Sequence, residues 1–196
     1  MPDKEQSSEN ARIEQDEFWS IVSELNKESD RAAVILAVAK LDLLLYEIIQ
    51  ATLLPSPATQ DELLDGDSAL GTLSARINMV HRLGLIDSEF ARALHIARRI
   101  RNNFAHELTS SNLSLGSHRD RVRELCAPFR RFKKFDSFRK SFANREEDIP
   151  STNFRTAIAI MILRLDTTLQ QAVPIAGKEP MPLVHTDWDK TEPKDG

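Results

Sequence analysis

The densest chemistry in this 196-residue chain stands at the end of one helical pattern, in Arg101-Asn102-Asn103-Phe104-Ala105-His106. At about 100° per residue, Phe90, Ala93, Leu94, Ala97, Ile100 and Phe104 share a face, and Arg101 falls within about 50° of its centre. A guanidinium does not escape burial by losing its proton. Arg101 is therefore expected to meet carboxylate or carbonyl partners, or an opening in the core through which it reaches a ligand. Asp42, Asp65 and Asp67 are the acids available to it as structural ion-pair candidates. Arg98, Asn102 and His106, at i, i+4 and i+8, form a second polar row on an adjoining face if the helix persists that far. His106 also has a plainer role, as a cation favoured at the negative end of the helix dipole.

Charge is distributed unevenly. Residues 92–145 hold fourteen Lys and Arg against four acids, Glu107, Asp120, Glu124 and Asp136, so that segment carries +10 and the remainder −14, for a net −4. Such polarity either steers an anionic partner to one side or is neutralised between the two halves in the fold. Within the segment, Phe129, Phe132, Phe135, Phe138 and Phe142 recur at spacings of three or four, with pairs of cations between them. At helical spacing the rings form one stripe that packs on the core, and the cations form a solvated rim. In the functional alternative that rim, Arg98, Arg130, Arg131, Lys133, Lys134, Arg139 and Lys140, is a nucleic-acid or anion surface with some rings free to stack on bases.

Other chemistries lack their signatures. There is no Gly-rich phosphate loop, HExxH, paired cysteines or nucleophile elbow, so no cofactor and no metal is expected. Cys126 is alone and forms no internal disulfide. Asp65-x-Asp67 lacks the third ligand, central glycine and closing Glu of an EF-hand loop, and capping the next helix is the better use for its carboxylates. His81, His95, His118 and His185 stand in separate contexts and read as surface residues. No apolar run approaches the roughly 20 residues that span a bilayer, and the polar, acidic N-terminus has no signal-like apolar core. A soluble cytoplasmic protein without a membrane partner is the expectation.

The elements that position these residues are helical. Few glycines, one tyrosine, and Leu, Ala, Arg and Glu at helical spacing predict an all-α fold. It is expected to be one helical-bundle domain of about six to seven helices over residues 13–173, with residues 1–12 and 174–196 as disordered tails. Phe18, Trp19, Val22 and Leu25 give a first amphipathic helix. Residues 31–54, apolar nearly all round, read as the central buried helix, stopped by Pro55 and Pro57. A loop packed by Leu63, Leu64 and Leu70 leads to a helix from about Leu70 to Leu83. Gly84 and Asp87 then turn the chain into an antiparallel hairpin whose second helix runs from Ser88 to about Asn103. A shorter helix covers Ser117 to Cys126, the Phe-rich segment follows, and a last helix from Thr152 turns Phe154, Ile158, Met161, Ile162, Leu165 and Leu169 inward.

Leu63-Leu-Asp-Gly-Asp-Ser-Ala-Leu-Gly71, the helix and turn from Ser74 to Ile86, and the helix from Phe90 to Ile100 resemble the bacterial mannitol operon repressor family. The resemblance covers about a quarter of the chain. It implies an all-α regulator of transcription without a helix-turn-helix, acting through a protein or nucleic-acid partner. The Phe-rich basic segment and the tail depart from the family's namesake. The end of the Ser88 helix also resembles HEPN domains, whose Arg-polar-…-His signature supports metal-independent RNA cleavage in some members and binding alone in others. The matching residues are Arg101, Asn102 and His106. By that resemblance His106 would move a proton, Arg101 would stabilise the phosphorane charge and Asn102 would orient the phosphate. Two such sites would meet across a homodimer axis. Binding protein and endoribonuclease both remain open at this stage.

Overall fold

The structure, a computed structural model, describes residues 19–56, 58–107, 112–132, 135–140, 142 and 149–175. The described residues form seven α-helices, α1 (residues 19–27), α2 (Asp30–Thr52), α3 (Leu73–Arg82), α4 (Ser88–His106), α5 (Gly116–Cys126), α6 (Phe135–Lys140) and α7 (Ile149–Gln170), with a 3-10 turn at Phe129–Arg131. The expected all-α class holds, and one hydrophobic cluster draws on every α-helix except the exposed flank of α6. Both chain ends, 1–18 and 176–196, lie outside the described residues, and with them the expectation of disordered tails.

The centre of the bundle is α7 rather than α2 alone. Every residue from 151 to 162 is buried, so α7 is enclosed on all sides over three turns, with α2, α5 and α6 packed around it. A one-sided stripe does not describe it, because Ser151, Thr152, Asn153, Arg155 and Thr156 are buried along with the apolar row. Hydroxyls are affordable there because they bond within the helix: Thr156 Oγ1 donates to the Thr152 carbonyl at 2.8 Å. In α2, Leu41, Leu44, Leu45, Ile48 and Ile49 are fully enclosed, each burial contributing about 1.5–3 kcal/mol. Leu36 and Leu43, however, are 45% and 47% exposed, so this helix keeps an open face despite its apolar composition.

Helix ends follow local chemistry. Ser29 caps α2 and Thr72 caps α3, moving the start of α3 to Leu73. Gly84, at φ 74°, ends the α3 turn in the left-handed region that glycine tolerates. Asp87 then accepts from the Phe90 amide at 2.7 Å and starts α4. The loop before α3 closes on itself: the Leu70 amide donates to the Leu63 carbonyl at 2.9 Å, and a β carbon at Gly71 would collide with the Gly66 carbonyl oxygen. Arg76 fastens the loop to the bundle, donating to the Leu70 carbonyl at 2.9 Å, the Leu64 carbonyl at 3.3 Å and Asp42 Oδ1 at 2.8 Å.

The Phe-rich segment does not continue as one helix. It breaks into the 3-10 turn and the short α6, which splits the five rings. Phe129, Phe135 and Phe142 are buried, Phe138 is half-buried and Phe132 is 46% exposed. Phe132 leans on Phe138 with ring centroids 5.9 Å apart.

Candidate binding face around helix α4

Helix α4 carries the polar residues singled out by spacing, and its inner row, Ala93, Leu94, Ala97, Ile100 and Phe104, is buried. The helix persists through His106. Five helical steps therefore lead from Arg101 to His106, about 140° of rotation at 100° per residue, so the two side chains leave the axis in different directions. Arg101 and Asn102 are half-buried and His106 is exposed. Among the described residues none of the three side chains has a hydrogen bond or ion pair.

The ion pair expected for Arg101 is made elsewhere. Asp42 pairs with Arg76 at 2.8 Å, beneath the ring of Tyr46. Asp65 accepts from the Tyr46 hydroxyl at 3.2 Å and from the Asp61 amide at 3.1 Å, which fixes the loop, and Asp67 is exposed. Among the described residues the enclosed arginine is Arg155 on α7, 0% exposed and 2.9 Å from Asp30. Its remaining N–H groups donate to the carbonyls of Leu25 and Glu28, both at 3.0 Å, and to Ser151. Burial would raise the Asp30 carboxyl. Hydrogen bonds from Ser151, the Leu113 amide and Arg155, together with the charge of Arg155, outweigh that and hold it below the usual carboxylate value.

The last carbonyls of α4 are satisfied from α2. Arg31 donates through Nε and Nη2 to the Phe104 carbonyl, at 3.1 and 2.6 Å, and through Nη2 to the Glu107 carbonyl. A cation thus faces the negative end of the helix dipole, and it is Arg31 that bonds these carbonyls rather than His106. Beside it lies a residue that simple spacing placed on the surface. His118 is 7% exposed, with its ring 4.7 Å from that of Phe104 and Nε2 2.9 Å from Glu107 Oε1. The reason is its phase: His118, Val122, Leu125 and Cys126 form the inward row of α5. His95 is half-buried against Asn78 at 3.1 Å. Burial, then the charges of Arg98 and Arg99, push its pKa down. Cys126 is enclosed and burial pushes its thiol up to about 12, which removes it as a nucleophile.

The basic segment remains largely uncompensated. Its own acids are used locally: Glu124 by Arg92 at 2.6 Å, Asp120 by Arg123 at 3.6 Å, Asp136 by Arg139 at 3.4 Å and Glu107 by His118. Among the described residues one ion pair joins the segment to an acid outside it, Arg131 to Glu89 at 3.5 Å, with both side chains largely exposed. Arg130 and Lys140 are exposed without an ion pair among the described residues, and Arg98 buries its Nε without a partner. Lys133 and Lys134 lie outside the described residues. Elsewhere, where α2 ends, Tyr46, Leu54, Asp61, Glu62, Leu63 and Asp65 line an open groove of about 770 Å³ with acidic walls. Spacing gave no warning of that groove, which forms only where the end of α2 meets the closed loop.

No protein-family model matches the sequence, and no curated protein matches it. A solved structure does: a chain from the X-ray structure of the MtlR–HPr complex from Escherichia coli, with a TM-score of 0.54 and 20% identity, over 78% of this chain and 98% of that one. At that identity the likeness shows a shared fold.

Proposed function

We propose that this chain is a regulatory protein that acts by binding the acidic surface of a protein partner through its basic side. The observation that carries the proposal is the charge balance across the fold. Among the described residues, the acids beside the cations of α4, α5, the 3-10 turn and α6 are already used within the same segment, with a single exposed pair crossing to the rest. A side left positive on a protein of net charge −4 draws anionic surfaces and gives association a steep salt dependence. The shared fold with a chain solved in complex with HPr supports a protein as the partner, as does the resemblance of Leu63 to His106 to the mannitol operon repressor family. HPr is the first probe. Saturable binding of purified HPr, weakened at least tenfold by Arg130→Glu with Arg131→Glu and by a rise in salt, is expected. Binding that ignores both salt and these substitutions, or no binding, would overturn the reading.

A second reading is a homodimeric, metal-independent endoribonuclease using Arg101, Asn102 and His106. One observation favours it: all three side chains are without polar partners among the described residues. The angle of about 140° between Arg101 and His106 requires the site to be completed by a second copy. RNA cleavage in EDTA that His106→Ala abolishes without changing the melting curve would establish it, and a monomer in solution would sink it.

A further inference from the structure

A small cleft opens beside the first turn of α7, apart from the row at the end of α4. It encloses about 320 Å³ and is lined by Arg130, Phe135, Asp136, Arg139, Ile149 and Asn153. Phe135, 4% exposed, and Ile149 supply apolar walls. Two guanidinia stand at its rim. Arg130 has no ion pair among the described residues. Arg139 holds Asp136 at 3.4 Å, an i, i+3 pair whose carboxylate is 80% exposed, and such a pair is weak in water and exchanges readily for a better acceptor.

Asn153 gives the cleft its direction. It is 9% exposed, yet its carboxamide has no hydrogen bond among the described residues, and neither of its polar atoms is sealed from solvent. A buried amide normally finds a partner. Its neighbours on α7 do: Ser151 bonds Asp30 and Arg155, and Thr156 bonds the Thr152 carbonyl. The backbone carbonyl of Asn153 is also used, by Cys126 Sγ at 3.4 Å. The carboxamide is left to face the cleft. Its N–H groups, the donors of two arginines and the positive end of the α7 dipole then surround one small space.

We infer that this cleft is an oxyanion site that takes a phosphoryl group, with Arg130 and Arg139 holding its oxygens from the rim and Asn153 donating from the floor. Donors that come from three directions suit a tetrahedral group. A flat carboxylate is satisfied by one guanidinium fork. On binding, Arg139 trades the loose Asp136 contact for the phosphoryl oxygens. The site shares Arg130 with the basic side proposed above, but it rests on the 3-10 turn, α6 and α7 and needs no second protein. The phosphoryl group has two possible sources, a free phosphate and a phosphorylated side chain.

The test is titration of the full chain with inorganic phosphate, followed by amide chemical shifts at matched ionic strength, with sodium chloride and acetate as controls. Saturable shifts centred on residues 130, 135–139 and 149–153 are expected. Arg130→Gln, at an exposed position that leaves the fold intact, should weaken binding at least tenfold, and Asn153→Asp, which puts a carboxylate on the floor, should abolish it. Asn153→Leu checks that the loss is not unfolding: a native spectrum without phosphate binding supports the site. A phosphoserine peptide that binds tenfold tighter than phosphate assigns the group to a modified protein. Equal affinities assign it to free phosphate. Shifts reproduced by chloride, acetate bound as tightly as phosphate, or phosphate affinity unchanged in Arg130→Gln would each overturn the proposal.

Discussion

Arg155 and Asp30, 125 residues apart in the sequence, meet at 2.9 Å with the arginine wholly enclosed. The pair ties the start of α2 to the first turns of α7, and the same guanidinium closes the carbonyl ends of the α1–α2 link at Leu25 and Glu28. Removing one partner leaves an uncompensated buried charge, whereas removing both need not. Asp30→Ala is expected to cost about 3–5 kcal/mol, and Asp30→Ala with Arg155→Met clearly less than the sum of the two single changes. Urea unfolding of the three variants measures both, and additive costs would show that the residues do not act as a pair.

The same carboxylate sets an acid limit. Its pKa is lowered in the folded chain from the ordinary 3.8, so the unfolded chain binds the proton more readily. The stabilisation is present in full above that ordinary value and is lost as pH falls through the lowered one. Wild-type stability should therefore decline more steeply below pH 3.8 than that of Asp30→Asn, which has no proton to take up there. Parallel acid limbs in a pH series of denaturant melts would contradict the assignment.

Arg31 is the exposed counterpart. Replacing it by Met keeps the stem and removes the bonds to the Phe104 and Glu107 carbonyls. A loss of about 1–2 kcal/mol is expected from the hydrogen bonds and the helix-end charge together. Hydrogen exchange localises it, with the amides of residues 103–107 opening faster while those of α7 keep their protection.

Arg101 and His106 should be dispensable for folding. Neither has a polar partner among the described residues, and substitutions at such positions stay within about 0.5 kcal/mol. Thermal melts of Arg101→Ala and His106→Ala are expected to overlay the wild type within a degree or two. A larger drop would mean that Arg101 has the structural partner its place on the apolar face called for.

Cys126 should ignore a disulfide reagent in the native state. With its thiol pushed up to about 12 and its side chain enclosed, the thiolate is scarce at neutral pH and unreachable. Reaction should begin only in denaturant, at the rate of global unfolding. Prompt labelling of the native chain would show that α5 separates from α7.

The sequence showed the parts of the fold that periodicity controls. The inward row of α4 and the Gly84–Asp87 turn depend on neighbours in sequence, and each stands where spacing placed it; the apolar row of α7 is inward too, with polar residues buried beside it. Contacts between distant elements were not visible. Asp42 is an ion-pair residue, but its partner lies 34 positions away on α3 rather than on α4. Arg155 carries no burial signal of its own in the sequence, and contacts with Leu25, Glu28 and Asp30, from α1, the link and α2, enclose it. His118 was readable in principle, since Val122 and Cys126 follow it at i+4 and i+8. Taken singly, a histidine in a polar stretch conceals that row. For the polar residues at the end of α4, helical phase separated Arg101 from His106 correctly once the helix ran on to His106. The cleft holding Asn153 has no sequence signal, because its walls come from three separate segments.

The closed loop before α3 has a bearing on what sequence likeness means here. Leu64 is buried, Gly66 adopts a left-handed φ of 63°, Gly71 has no room for a side chain, and Arg76 bolts the whole to Asp42. Those letters are dictated by closure, as the pitch of a thread is dictated by its nut. Glu62, Leu63, Asp67 and Ala69 on the outside are exposed and carry no such duty. A chain that inherits the inner letters inherits the joint. The outer letters lie outside the clasp and can be exchanged without loosening it.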